Sequence, residues 1–118
     1  MAGLTTHVLY TARGRPASGV AIELHALAAD GARTLIASAT TNADGRTDAP
    51  LIGAAEARVG VFELTFHVGA YFRAQGAPTP EPPFLDLVPV RFAIADSSAH
   101  CHVPLLVTPW SYSTYRGS

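Results

Sequence analysis

The chain has 118 residues, 48% of them hydrophobic and 14% charged, with a formal net charge of −1. That length sets a single domain over residues 1–118 as the default expectation, and the composition is too apolar and too weakly charged for disorder. The near-neutral balance supplies no field for a nucleic acid, and because all eight basic residues are arginine a lysine Schiff base is excluded. One cysteine, Cys101, leaves no intramolecular disulfide to form. The start, Met1 to His7, has neither a basic head nor an apolar run, and no stretch approaches the ~18 apolar residues of a membrane helix. The expectation is a cytoplasmic domain that binds neither nucleic acid nor membrane.

Nineteen prolines and glycines are spread along the chain, and they separate short extended runs, the pattern of an all-β sandwich or barrel. Leu4 to Leu9 is the first strand, closed by a loop from Ala12 to Pro16. Val20 to Leu27 ends at the turn pair Asp30-Gly31, and Arg33 to Thr41 ends at Asn42-Ala43-Asp44-Gly45. After Arg46 the chain is irregular until Val61 to Val68, where Phe62, Leu64, Phe66 and Val68 alternate with Glu63, Thr65 and His67. Gly69 to Gln75 reads as a short helix stopped by Gly76. Four prolines between Ala77 and Pro83 demand a loop. Val88 to Ala95 is a strand, and Pro89 marks it as an edge strand or marks the strand's start. His100 to Val107 and Ser113 to Gly117 are the last two strands, joined through Thr108-Pro109-Trp110. Short strands with apolar faces must meet in two layers, and exposed edges with few charges favour a homo-oligomer.

Five histidines dominate the chemical inventory. His100 and His102 are two apart on a strand, so their rings share one face and Cys101 takes the other. Such a pair suits zinc with a third ligand, or a base and its orienting partner; a purely structural role carries about equal weight. His7 alone reads as structural, and His25 and His67 as solvent-facing. No Cys-x-x-Cys, His-Glu-x-x-His, Gly-x-Ser-x-Gly or phosphate-loop spacing is present. The Asp44-Gly45-Arg46 turn reads first as a turn followed by a solvated arginine.

Leu4-Thr5-Thr6-His7-Val8-Leu9, with Thr11 to Ala17 after it, resembles the amino-terminal signature of the transthyretin-like 5-hydroxyisourate hydrolases. His102-Val103-Pro104-Leu105-Leu106 and Ser111 to Ser118 resemble the carboxyl-terminal signature, whose ending Tyr115-Arg116-Gly117-Ser118 separates hydrolases from hormone carriers. Asp44-Gly45-Arg46, Phe62 to Phe66, Gly69 to Arg73 and Val88 to Phe92 extend the likeness over nearly the whole chain. The resemblance implies an all-β, transthyretin-type sandwich of two four-stranded sheets with one short helix after the fifth strand. It implies a homotetramer built as a dimer of dimers, with sites in the channel between dimers, and no metal or organic cofactor.

Carried over by position, the resemblance makes His7, Arg46 and His102 catalytic, and gives these three with Tyr115 to binding the small-molecule substrate. The implied reaction is hydrolysis of 5-hydroxyisourate to 2-oxo-4-hydroxy-4-carboxy-5-ureidoimidazoline in urate degradation. The alternative is a non-catalytic carrier of a small aromatic ligand. Four positions depart from the pattern: Tyr10 and Ala70 replace aspartates, Cys101 and Trp110 tyrosines. Tyr10 and Cys101 neighbour strand positions of the site, so both are expected to face away from it. Small Gly117 beside Tyr115 is expected to leave room for a flat heterocycle.

Overall fold

The structure is a computed structural model that describes residues 3–117. Met1 and Ala2, which open the supposed leaderless start, and Ser118 of the terminal tetrapeptide lie outside the described residues. Eight strands form: β1 (Gly3–Tyr10), β2 (Arg15–Pro16), β3 (Ala21–Leu27), β4 (Arg33–Thr40), β5 (Gly60–His67), β6 (Leu87–Ile94), β7 (His100–Val107) and β8 (Tyr112–Thr114), with a helix α1 (Val68–Ala74) after β5. They make two four-stranded sheets, ordered β2-β1-β7-β8 and β4-β3-β5-β6. This is the expected sandwich.

Period-two alternation drives each strand into one layer or the other. Along β1, Leu4, Thr6, Val8 and Tyr10 are buried while Thr5, His7 and Leu9 stay half-exposed on the outer face. Leu105 and Val107 of β7 extend this layer in the same sheet, and Ile22 and Leu24 of β3 with Phe62, Leu64 and Phe66 of β5 meet it from the other sheet. Each such side chain withdraws enough apolar surface to contribute roughly 1.5–3 kcal/mol. Thr6 is a polar group in this layer, and its hydroxyl donates to the Val103 carbonyl at 2.6 Å, which avoids the penalty of an unpaired buried hydroxyl.

Several boundaries differ from the sequence reading. The loop expected from Ala12 to Pro16 contains β2, which pairs antiparallel with β1 as Leu9↔Pro16 and Tyr10↔Arg15. Val68 belongs to α1 rather than to the strand before it, since its buried side chain suits either element. The last strand stops at Thr114 instead of running to Gly117. Its register with β7 (Leu105↔Thr114) continues to an isolated bridge at His102↔Gly117. Between them Pro104 has no N–H to give opposite Tyr115, and the Thr114 hydroxyl occupies the Pro104 carbonyl at 2.7 Å. Pro89 does lie on an edge strand, β6.

Candidate functional site

The site grows from the outer face of β1 and β7, which run side by side in parallel with Thr5↔His102 and His7↔Pro104 in register. On β1 the outward positions two apart are Thr5 and His7, and on β7 they are His100 and His102. The Thr5 hydroxyl lies 2.9 Å from Nε2 of His100 and 2.8 Å from Nδ1 of His102. The two imidazoles stack at 6.4 Å between centroids with planes 19° apart. As expected, Cys101 points the other way and is buried. Burial raises its thiol pKa, against the Arg116 charge that lowers it, so a thiolate nucleophile is not on offer here.

The turn after β4 delivers Arg46 to His7. Asn42 organises it: its carbonyl side-chain oxygen accepts the Asp44 N–H at 2.9 Å and the Arg46 N–H at 3.2 Å. Its backbone N–H donates to the Arg46 carbonyl at 2.7 Å and its carbonyl accepts from Gly45 at 2.9 Å. Gly45 has φ +76°, and a Cβ there would strike the Val8 carbonyl; both facts demand glycine. The turn is thereby pinned on β1, where Val8 N–H donates to the Gly45 carbonyl at 2.8 Å and His7 bridges Arg46. His7 Nε2 donates to the Asp44 carbonyl at 2.8 Å. A carbonyl only accepts, so this nitrogen carries the His7 proton.

The tail closes the third side. Gly117 N–H donates to the His102 carbonyl at 2.8 Å. A Cβ on Gly117 would sit 2.5 Å from Cδ2 of His102, so the glycine is what lets the ring lie flat against the tail. With Nδ1 held by Thr5 and Cδ2 against Gly117, the Cε1–Nε2 edge of His102 is the part left facing outward.

Thr5, His7, Arg46, His100, His102, Tyr115 and Gly117 line one groove of about 370 Å³. All four residues singled out in the sequence are therefore in one place. A cleft of about 350 Å³ beside β4, lined by Ile36, Leu51, Ile52, Glu56, Arg58 and their neighbours, holds no imidazole. Within the groove the His102 pKa lies below the ordinary histidine value. Burial is the main cause, the charges of Arg46, His100 and His7 add to it, and a hydrogen bond to the Thr5 backbone opposes it. His102 is thus neutral at pH 7. No cluster of three or more metal-ligating side chains is formed among the described residues.

Sequence reasoning missed Thr5 and Asn42 and left His100 without a place. Thr5 was findable, being two residues before His7 on the same strand face; Asn42 was read only as turn composition. The other two histidines lie half-exposed on the solvent side, as expected, and each has a partner there. His67 Nε2 meets Glu23 at 3.2 Å and His25 Nδ1 meets Arg33 at 3.3 Å, cross-strand pairs on the outer face of the second sheet. Tyr10 faces away from the groove, buried edge-on against Tyr71 at 5.6 Å and beside Phe72 at 5.4 Å.

Residues 4–117 match the HIUase/Transthyretin family. The chain belongs to this family. A 5-hydroxyisourate hydrolase of Deinococcus radiodurans is 58% identical to it over 116 residues, covering 98% of this chain and 96% of that protein. Among solved structures, (S)-allantoin synthase superposes with a TM-score of 0.91 at 47% identity, over 98% of this chain and 43% of that one. This chain therefore spans less than half of that longer protein. Sea bream transthyretin in complex with thyroxine superposes with a TM-score of 0.86 at 32% identity, over 97% of this chain and 93% of that one. The HIUase/Transthyretin sandwich thus serves both a hydrolase and a thyroxine-bound protein. Backbone shape does not separate the two activities, and the residues of the groove must.

Proposed function

We propose that this chain, acting as a single domain, hydrolyses 5-hydroxyisourate to 2-oxo-4-hydroxy-4-carboxy-5-ureidoimidazoline, a step of urate degradation, without metal or organic cofactor. The observation that carries the reading is the convergence of a neutral His102, a second imidazole on His7 and the Arg46 guanidinium in one groove. The Deinococcus radiodurans relative, a 5-hydroxyisourate hydrolase at 58% identity, supports it. A carrier of a small aromatic ligand has no use for a base, an orienting imidazole and a guanidinium aimed at one point.

Each residue then has a role that its geometry suits. His102 is the general base: its Nε2 edge faces outward and its depressed pKa keeps it unprotonated at neutral pH. His7 keeps its Nε2 proton on the Asp44 carbonyl, which fixes the ring and leaves the Nδ1 lone pair to accept a hydrogen bond from water or substrate. Water adds to a ring carbonyl, the acyl C–N bond breaks, and the ring nitrogen leaves with a proton. Arg46, planar and always charged, stabilises the oxygen on which negative charge builds. Tyr115, 59% exposed at the groove wall, hydrogen-bonds the substrate. Ultraviolet monitoring of freshly generated 5-hydroxyisourate tests the reading. Decay much faster than in buffer is expected; decay at the spontaneous rate sinks it.

The same reading makes the protein a homotetramer, a dimer of dimers whose grooves face a shared channel, in the cytoplasm. Supporting it are the open sheet edges at β6 and β8 and the exposed aromatic pair Phe84 and Trp110, 6.2 Å apart. Exposed apolar area of this kind marks association surfaces. No helix among the described residues is long and apolar enough to cross a membrane.

A further inference from the structure

We propose that Thr5 is a positioning residue for the hydrolysis, its hydroxyl relaying a proton from Nδ1 of His102 to Nε2 of His100 while His102 takes a proton from the attacking water at Nε2. This rests on the hydrolase reading and adds two residues to it. Thr5 Oγ1 has a ring nitrogen at 2.9 Å and another at 2.8 Å; a threonine hydroxyl has one proton to give and two lone pairs, so it donates to at most one ring and accepts from the other. If it donated to His102, the remaining proton of that ring would sit on Nε2, facing the groove, and His102 could accept nothing from water there. In the opposite sense His102 Nδ1–H donates to Thr5, Thr5 donates to Nε2 of His100, and the His102 Nε2 lone pair faces the groove.

The balance closes. Water loses a proton to His102 Nε2 and its oxygen bonds to the ring carbonyl; Nδ1–H passes to Thr5, whose own proton passes to His100. His102 ends neutral in its other tautomer, and the positive charge appears on His100. His100 is exposed, so the charge moves from a half-buried ring, beside Arg46, to one that water solvates. A charge developing on His102 itself would face Arg46 and His7 from the turn and from β1.

The test compares kcat and KM of the full chain with those of Thr5→Val, Thr5→Ser, His100→Ala and the Thr5→Val/His100→Ala double variant, with circular dichroism confirming the fold. Valine keeps the shape and the strand preference of threonine. Thr5→Val is expected to lower kcat by roughly 10- to 100-fold with KM little changed. Thr5→Ser is expected to restore turnover, His100→Ala to match the Thr5→Val loss, and the double variant to lose no more than either, as residues acting as one unit do. Wild-type kcat in Thr5→Val, failure of serine to rescue, or losses that multiply in the double variant would each overturn the relay. A wild-type chain inert toward 5-hydroxyisourate would fail before any variant is made, and would overturn the hydrolase reading itself.

Discussion

Gly117 illustrates how much of the chemistry depends on one absent methyl. Its backbone conformation is open to any residue, and the space its Cβ would need is already taken by the His102 ring, 2.5 Å away at Cδ2 and 3.2 Å at Cγ. Gly117→Ala should therefore leave the melting temperature nearly unchanged and move the ring. A loss of roughly 10²-fold in kcat/KM is expected, since misplacement of a catalytic group by about 1 Å costs that much; unchanged kinetics would show that the ring has room to yield. Arg46 is the second residue whose substitution separates chemistry from folding, because it is exposed and its side chain stabilises no core. Arg46→Ala should lose about 10²–10³-fold in turnover and melt as the parent does. Arg46→Lys should recover little, because an ammonium lacks the forked donor geometry.

His102 also sets a pH dependence with a definite sign. Burial, then the neighbouring charges, lower its pKa in the folded chain, so the base form survives into more acidic solution than for a free histidine. Turnover should be flat above about pH 6.5, the ordinary histidine value, and fall only below it. Stability follows the same sense. With the folded pKa depressed, the unfolded chain binds more protons, so the contribution is complete above about pH 6.5 and fades as pH drops through the lowered value. A pH–rate profile that breaks above pH 7 would contradict this assignment. The imidazole spacing was legible in the sequence through strand parity. The tautomers were not, because they depend on Thr5 and on the Asp44 carbonyl, which only the fold brings near.

Among the elements, the turn from Asn42 to Arg46 is the one whose failure would be felt at the site. One side-chain oxygen of Asn42 organises two backbone N–H groups and so aims both the Asp44 carbonyl and Arg46. Asn42→Ala should cost about 1–2 kcal/mol, the usual loss for such local hydrogen bonds, measured by denaturant titration, and should lower kcat as well. Composition announced a turn here but not its target, since Val8 and His7, which receive it, are over thirty residues away. The end of β8 was misread for a similar reason. Ser113 to Gly117 has strand composition, and only the opposing Pro104, eleven residues earlier, interrupts the ladder at Tyr115. That interruption frees the Tyr115 side chain to line the groove while Gly117 re-engages β7. Tyr115→Phe should therefore raise KM or lower turnover without altering assembly, by steady-state kinetics and size exclusion.

At the scale of the whole molecule, two layers of alternating strands follow from period-two patterning, and the sequence shows that pattern plainly in β5, where Phe62, Leu64 and Phe66 are all buried. What patterning cannot supply is which strands become neighbours. The parallel pairing of β1 with β7 joins residues nearly a hundred positions apart, and it is this pairing that brings Thr5 and His7 beside His100 and His102. The resemblance of the two chain ends to known hydrolases anticipated the outcome because those ends are the two strands that pair. The assembly expected of the family is a separate matter, and light scattering on the purified chain should give four times the 12.3 kDa protomer mass.

The most direct test is the turnover of freshly made 5-hydroxyisourate by the wild-type chain and by His102→Ala at equal folded concentration. Loss of a general base is expected to lower kcat by about 10²–10⁴-fold while the wild type far outpaces spontaneous decay. Equal turnover by both proteins, or a wild-type rate no faster than buffer, would contradict the assignment of hydrolysis to this groove.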